Sequence, residues 1–281
     1  MTHSEAAKVS SQNKKFWDEP CGQNLMNQLG LKEGSPDALF EFDKNYFKIY
    51  PYLLKQIPVA QMKGKKVLEI GLGYGTLSQA IMKNCAEYTG LDIADSPVRI
   101  VNDRIRLTGS NGKVFVGSIL EAPFSDASFD VIVSVGCLHH TGDLKKSIEV
   151  VARVLKPGGK FFGMVYNQFS FRQWSRWPRE TFSVFLSESG IVSTWKWAQP
   201  TTEVQRAAYD ASSAGQPAPF TEFSSKKKLR EIFKDFSNLK MTAENMDGLS
   251  VRGRGIIPRR MLINSPISRI GGLDIYIQAV K

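Results

Sequence analysis

The residues Glu69-Ile70-Gly71-Leu72-Gly73-Tyr74-Gly75-Thr76 join an apolar run to a helical pattern and place three glycines at alternate positions. A tight strand-to-helix turn demands backbone conformations that only glycine adopts freely, and missing side chains let a ligand lie against the main chain. The helix beyond such a turn offers free N–H groups. A dinucleotide-binding turn has the spacing GxGxxG. Here the third glycine comes one residue earlier, and Thr76 takes the next place. Glu69, just before the first glycine, has no use against a pyrophosphate, whereas a cationic ligand would favour it. Asp92 follows about 20 residues later, where a carboxylate can accept from both hydroxyls of a ribose. The adjacent His139 and His140 titrate near neutral pH and could take a proton from a reacting group. They could equally shape a loop. Tyr166 and Asn167 could orient a substrate. No cysteine chemistry stands out: Cys21, Cys85 and Cys137 are too few and too scattered for a disulfide framework or a metal cluster.

Several elements must position these groups. Lys66–Ile70, Tyr88–Ile93, Lys113–Val116, Asp130–Val135 and Lys160–Tyr166 read as strands. Leu77–Asn84, Val98–Leu107 and Asp143–Leu155 read as helices between them. Alternation of this kind predicts βαβ units and a parallel sheet covered on both faces. His139, His140, Tyr166 and Asn167 then follow strands at the sheet's carboxyl edge, where open α/β sheets bind ligands. Leu239–Asn245 and Leu273–Val280 read as two further strands, with a Gly/Arg/Pro-rich loop between them over Gly248–Gly272. Ser224–Phe236 reads as a helix. Residues 1–13 read as a polar, mobile leader, 14–60 as an N-terminal helical cap with Asp37 capping a helix to about Tyr50, and 168–223 as an insertion over the sheet. The core then spans 61–167 and 224–281.

In order, these stretches resemble one family, the class I S-adenosylmethionine-dependent methyltransferases. Val67–Gly75 is similar to its first motif, Gly90-Leu91-Asp92-Ile93 to its ribose-binding strand end, and Pro123–Ile132 to its third stretch. Leu138-His139-His140 and Arg153-Val154-Leu155-Lys156-Pro157-Gly158-Gly159 complete the set. The likeness covers Lys65–Tyr166 and is in detail to the small-molecule branch that includes quinone- and sterol-pathway enzymes. It implies a Rossmann-like α/β fold with a mostly parallel seven-stranded sheet, helices on both faces, an N-terminal helical cap and an inserted lid after the fifth strand. It implies S-adenosylmethionine as cofactor, leaving as S-adenosylhomocysteine. Gly71, Leu72, Gly73, Gly75 and Thr76 would meet its methionine part, with Glu69 near the amino-acid end. Asp92 would hold the ribose, Ile93 would pack on the adenine, Ser118 and Ile119 would meet the adenine edge, and Val135 and Gly136 would flank the sulfonium. Many relatives have aspartate where Ser118 stands, and serine binds there without charge assistance.

Methyl transfer from a sulfonium mainly needs alignment and exclusion of water. A base is needed only when the acceptor must lose a proton early, and His139, His140 and Tyr166 are the candidates. Trp17, Asn167, Arg172, Trp174 and Arg176 are candidates for the acceptor. If the segment is helical to Pro178, Arg172, Arg176 and Arg179 share one face. Charge supports an anionic or amphiphilic acceptor, prenylated, phosphorylated or lipid-like, or contact with a membrane surface. The net charge is +10, and residues 171–281 hold 17 Lys/Arg against 10 Asp/Glu, a net of +7. Arg252, Arg254, Arg259 and Arg260 form a second basic cluster. Methylation of RNA and a non-catalytic cofactor-binding module stay open as alternatives. No separate nucleic-acid module and no Asn-Pro-Pro-Tyr-like motif after the fourth strand are found, and the glycine spacing disfavours a dehydrogenase. No apolar run reaches the roughly 18 residues that span a bilayer. The polar start lacks a secretory h-region, so a cytoplasmic chain is expected.

Overall fold

The computed structural model describes residues 3–32, 35–190, 201–251, 255–263 and 265–281. In chain order the cap holds α1 (His3–Trp17), α2 (Gln23–Gln28), α3 (Pro36–Ile49) and α4 (Leu53–Gln56). The core follows with β1 (Lys66–Ile70), α5 (Thr76–Met82), β2 (Glu87–Asp92), α6 (Asp95–Thr108), β3 (Gly112–Val116), β4 (Phe129–Val135), α7 (Leu144–Val154) and β5 (Leu155–Tyr166). Next come α8 (Phe171–Arg176), α9 (Pro178–Glu188), α10 (Glu203–Ala207), α11 (Lys226–Ile232) and β6 (Ser237–Glu244). The chain ends with β7 (Leu249–Val251), β8 (Gly255–Ile257), α12 (Arg259–Leu262), α13 (Pro266–Gly271) and β9 (Asp274–Val280).

The seven-stranded sheet runs β3-β2-β1-β4-β5-β9-β6. The pairs from β3 to β5 are parallel, and β9 is antiparallel to both β5 and β6. Strand order reverses between β1 and β4, and the crevice outside the carboxyl ends of such a pair is where open α/β sheets take ligands. The pleat alternates side chains between faces. Val67, Val131 and Val133 enter one buried cluster with α5, α6 and the cap, while Leu68, Ile70 and Ile132 enter another with α7 and α11. Burial on both faces is why these strands read as continuous apolar runs.

Several sequence expectations differ from the structure. Residues 3–13 of the segment read as a leader lie in α1, and Asn13 is buried. Ser35, not Asp37, caps α3: its side chain accepts from Ala38 N–H at 3.1 Å, and Asp37 sits in the first turn. The stretch read as a loop over 248–272 contains the β7–β8 hairpin, α12 and α13. These elements are three to six residues long, too short for periodicity to reveal among Gly, Arg and Pro. The helix expected to carry three arginines on one face stops at Arg176, and α9 restarts at Pro178. Arg172 and Arg179 therefore belong to different helices. Arg252 and Arg254 lie outside the described residues.

Candidate functional site

At the carboxyl ends of β1, β2, β4 and β5 lies a cavity of about 440 Å³, roofed by the cap and by the insertion after β5. Its size falls within the roughly 300–1,000 Å³ of small-molecule sites.

The glycine turn forms one wall. Gly71, Gly73 and Gly75 all have positive φ (83°, 50° and 72°), which explains the glycines at alternate positions. A Cβ on Gly71 would lie 2.5 Å from the Cβ of Cys137, so the turn also packs too closely for any side chain there. The turn is stitched to Asp92, whose Oδ2 accepts from Leu72 N–H at 2.7 Å and whose Oδ1 accepts from Ala94 N–H at 3.0 Å. Burial pushes the Asp92 carboxyl up to about 6, against the pull of those N–H groups. Glu69, also buried, accepts from the Tyr88 hydroxyl at 2.5 Å, and burial pushes it up to about 7. A buried ion pair holds the turn to the cap. Arg104 donates to both carboxylate oxygens of Asp43, at 2.9 and 2.8 Å, and to Tyr74 O at 2.7 Å, while the Thr76 hydroxyl donates to Asp43 at 2.6 Å. Ser118 lines the cavity, but its hydroxyl accepts from Leu120 N–H at 3.2 Å, capping a short 3₁₀ turn.

The twelve residues expected to hold the cofactor all line this one cavity: Glu69, Gly71, Leu72, Gly73, Gly75, Thr76, Asp92, Ile93, Ser118, Ile119, Val135 and Gly136. Their donor set fits S-adenosylmethionine. Two carboxylates, each held in a buried wall, would face a ligand that bears an ammonium, a sulfonium and a ribose diol. Side-chain-free backbone lies between them.

The far end of the cavity assembles groups from distant segments. Phe16 and Trp17 of α1 line it, and Trp17 packs on His140 with ring centroids 4.8 Å apart. Asn13 Nδ2 donates to His140 O at 2.6 Å, and Ser213 of the insertion donates to Glu19 through N and Oγ, so cap and insertion meet above the site. His140 is 3% exposed. Its Nδ1 lies 2.7 Å from Phe220 O, which assigns the proton to Nδ1 because a carbonyl can only accept. Nε2 is then left with a lone pair and, among the described residues, no hydrogen-bond partner, 3.4 Å from Asp210 Oδ2. Burial pulls the imidazole down and Asp210 opposes this. Burial in turn pushes Asp210 up, with His140 and Tyr166 opposing. Tyr166 donates its hydroxyl to Asp210 Oδ1 at 3.0 Å, and burial lifts its own ionisation well above the ordinary range.

The other sequence candidates go elsewhere. His139 is fully buried outside the cavity wall, packed on His140 and Tyr166, and burial followed by His140 holds it well below the ordinary histidine range. Asn167 is spent on the backbone: it donates to Gly272 O at 2.8 Å and accepts from Phe169 N–H at 3.0 Å. Arg172 reaches the cavity, but its guanidinium is bidentate to Asp247 at 2.7 Å and lies over the Tyr209 ring. Trp174 packs on Phe169 and Phe185, and Arg176 is exposed; neither lines the cavity. Arg259 donates to Ile49 O and Asn245 Oδ1. Sequence reasoning missed Tyr46, Tyr50, Tyr209, Asp210, Asp274 and Tyr276, which line the cavity. No spacing signal marks them.

Residues 68–163 match the family described as a methyltransferase domain. Over 172 residues the chain is 30% identical to a ubiquinone biosynthesis O-methyltransferase of Idiomarina loihiensis, covering 58% of this chain and 60% of that protein. Over 128 residues it is 32% identical to a phthiotriol/phenolphthiotriol dimycocerosates methyltransferase of Mycobacterium tuberculosis, covering 44% and 45%. The matched part is thus less than two thirds of each relative's length. Among solved structures, the YcgJ protein from Bacillus subtilis superposes with a TM-score of 0.53 at 21% identity, over 83% of this chain and 98% of that one. A SAM-dependent methyltransferase from Methanosarcina mazei gives 0.51 at 20%, over 80% and 96%. At these identities the likeness to the solved structures is one of fold.

Proposed function

We propose that this chain, whose core is a class I S-adenosylmethionine-dependent methyltransferase domain, moves a methyl group to the hydroxyl of a small-molecule acceptor held beneath the cap and insertion. The observation that carries this reading is the cavity, which joins the glycine turn and Asp92 at one end to the unpartnered Nε2 of His140 at the other. The cofactor, when bound, supplies a methyl group already activated on a sulfonium.

The protein's own residues then have three tasks. Asp92 and Glu69 would hold the polar and cationic parts of the cofactor through charge-assisted contacts. Trp17, Phe16 and Tyr209, closing over the site, exclude water from it. His140 accepts the hydroxyl proton at Nε2 as the oxygen attacks. Its Nδ1–H stays on Phe220 O and fixes the ring, and Asp210 stabilises the imidazolium that results. One similar protein carries O-methyltransferase in its name, in keeping with a hydroxyl acceptor.

Calorimetric titration of S-adenosylhomocysteine, with NADH as control, tests the reading. Saturable micromolar binding of the first alone is expected. Binding of neither, or of NADH alone, overturns it.

A further inference from the structure

The acceptor end of the cavity is acidic although the chain is basic. Asp210 and Asp274 both line it, and Asp274 is 3% exposed. Among the described residues, the arginines nearby are already committed. Arg172 is bidentate to Asp247, and Arg259 is bound to Asn245 Oδ1 and Ile49 O. Because Arg259 occupies Oδ1 of Asn245, the amide must turn its Nδ2 towards Asp274, where it donates to Oδ2 at 3.1 Å. The buried carboxylate is thus met by a neutral N–H rather than by a cation. Burial pushes the Asp274 carboxyl up to about 7, with Asp210 adding to the rise and Asn245, Arg172 and Arg259 opposing it. A carboxylate so placed is stabilised most by a cation.

A second observation also points to a ligand. Tyr46, Tyr50 and Tyr276 line the same cavity, with Tyr46 and Tyr50 ring centroids 4.9 Å apart and the Arg259 guanidinium over the Tyr50 ring, 5.6 Å from its centroid. Tyrosine ring faces attract a desolvated cation. In the same end the buried His140 keeps Nε2 unpartnered. Resting on the methyl-transfer reading, we propose that the acceptor carries a protonated amine, held by Asp274 against the tyrosine wall, while its hydroxyl faces His140. This makes Asp274 a specificity-determining residue and disfavours the anionic acceptor expected from net charge.

Three phenols that differ in one charge test this: tyramine, its neutral alcohol tyrosol, and the anion para-hydroxyphenylacetate. Each is titrated calorimetrically into full-length protein saturated with S-adenosylhomocysteine. Tyramine is expected to bind about tenfold more tightly than tyrosol, and the anion weakest of all, the ratio that a charge-assisted contact plus a cation–π contact supports. Asp274→Asn is expected to erase the preference and leave S-adenosylhomocysteine binding unchanged. Should that variant fail to fold, Tyr46→Leu is expected to weaken tyramine several-fold and tyrosol little. Best binding by the anion or the alcohol overturns the proposal, as does a preference that survives Asp274→Asn or, where that variant does not fold, Tyr46→Leu. Binding of none of the three also overturns it. In each case intact S-adenosylhomocysteine binding leaves the methyl-transfer reading standing, whereas loss of that binding in the unaltered protein overturns both.

Discussion

Replacing Asp92 with asparagine separates its two roles. In the free protein the carboxylate accepts from Leu72 N–H and Ala94 N–H. An asparagine side chain has one acceptor oxygen, so one of these buried N–H groups loses its partner, at a cost of about 1–3 kcal/mol. The opposite term is similar in size. A carboxyl whose pKa has risen from 3.8 to about 6 is charged at pH 8 at a cost of roughly 3 kcal/mol, and the amide removes that charge. The two effects offset, and the melting temperature of the free protein should move by only a few degrees. Cofactor binding has no such offset. Two hydroxyl donors lose a charged acceptor, each contact worth about 1.5–3 kcal/mol. Even at the low end this is about 3 kcal/mol, or roughly 100-fold in affinity. Calorimetry with S-adenosylhomocysteine and a thermal melt of the free protein read the two quantities separately. Affinity within about threefold of the unaltered protein would refute the ribose assignment. A loss of affinity accompanied by collapse of the fold would make Asp92 a structural residue only.

Three further perturbations follow from the same geometry. Because burial raises both Asp92 (to about 6) and Glu69 (to about 7), each takes up a proton as pH falls through those values. S-adenosylhomocysteine, which favours the charged forms, should therefore bind about tenfold or more weakly at pH 5.5 than at pH 8 by calorimetry, and a flat profile would contradict the assignment. His140→Ala should lower kcat by roughly 10²–10⁴ with cofactor affinity unchanged. Since Asp210 raises the His140 pKa that burial lowers, Asp210→Asn should shift the acid limb of the kcat profile to lower pH, and an unmoved limb would remove Asp210 from the proton transfer. Asp43→Ala strands the guanidinium of Arg104, which is 1% exposed, and should cost about 3–5 kcal/mol in a urea melt; a loss under about 1 kcal/mol would show that the ion pair does not anchor the turn.

The two ends of the cavity differ in how far they could be read from sequence, and the reason is contact range. The residues expected to hold the cofactor come from one stretch, 69–136, in which each group sits at the end of a strand or in the turn after it. Parallel strands in register bring such ends to one edge, so recognising the strands is enough to place Glu69, Asp92, Ser118 and Val135 together. The acceptor end has no such rule. Asn13 meets His140 across 127 positions and Tyr166 meets Asp210 across 44. Asp210 lies just after a five-residue helix in an aromatic, Ser- and Pro-rich insertion, where neither a period of two nor one of 3.6 marks a wall residue. The histidine pair is visible, but which of the two faces the cavity depends on a 3₁₀ turn over Leu138–His140 that buries His139 and leaves His140 at the wall.

The net charge of the chain and the charge of the cavity lining differ for a related reason. A charge sum counts residues, whereas a site feels only the charges that reach it unpaired. Arg172 enters the cavity wall with its guanidinium already bidentate to Asp247, and Arg259 spends its donors on Asn245 and Ile49. Arg176 lies exposed away from the cavity. The carboxylates follow the opposite course. Glu69, Asp92 and Asp274 are buried and carry hydrogen bonds from neutral groups, which bring no opposing charge. Burial then strengthens the field of whatever charge stays, because little water screens it. A basic chain can thus enclose an acidic cavity, and the preference of the site is set by which ions are paired, not by which sign is more numerous.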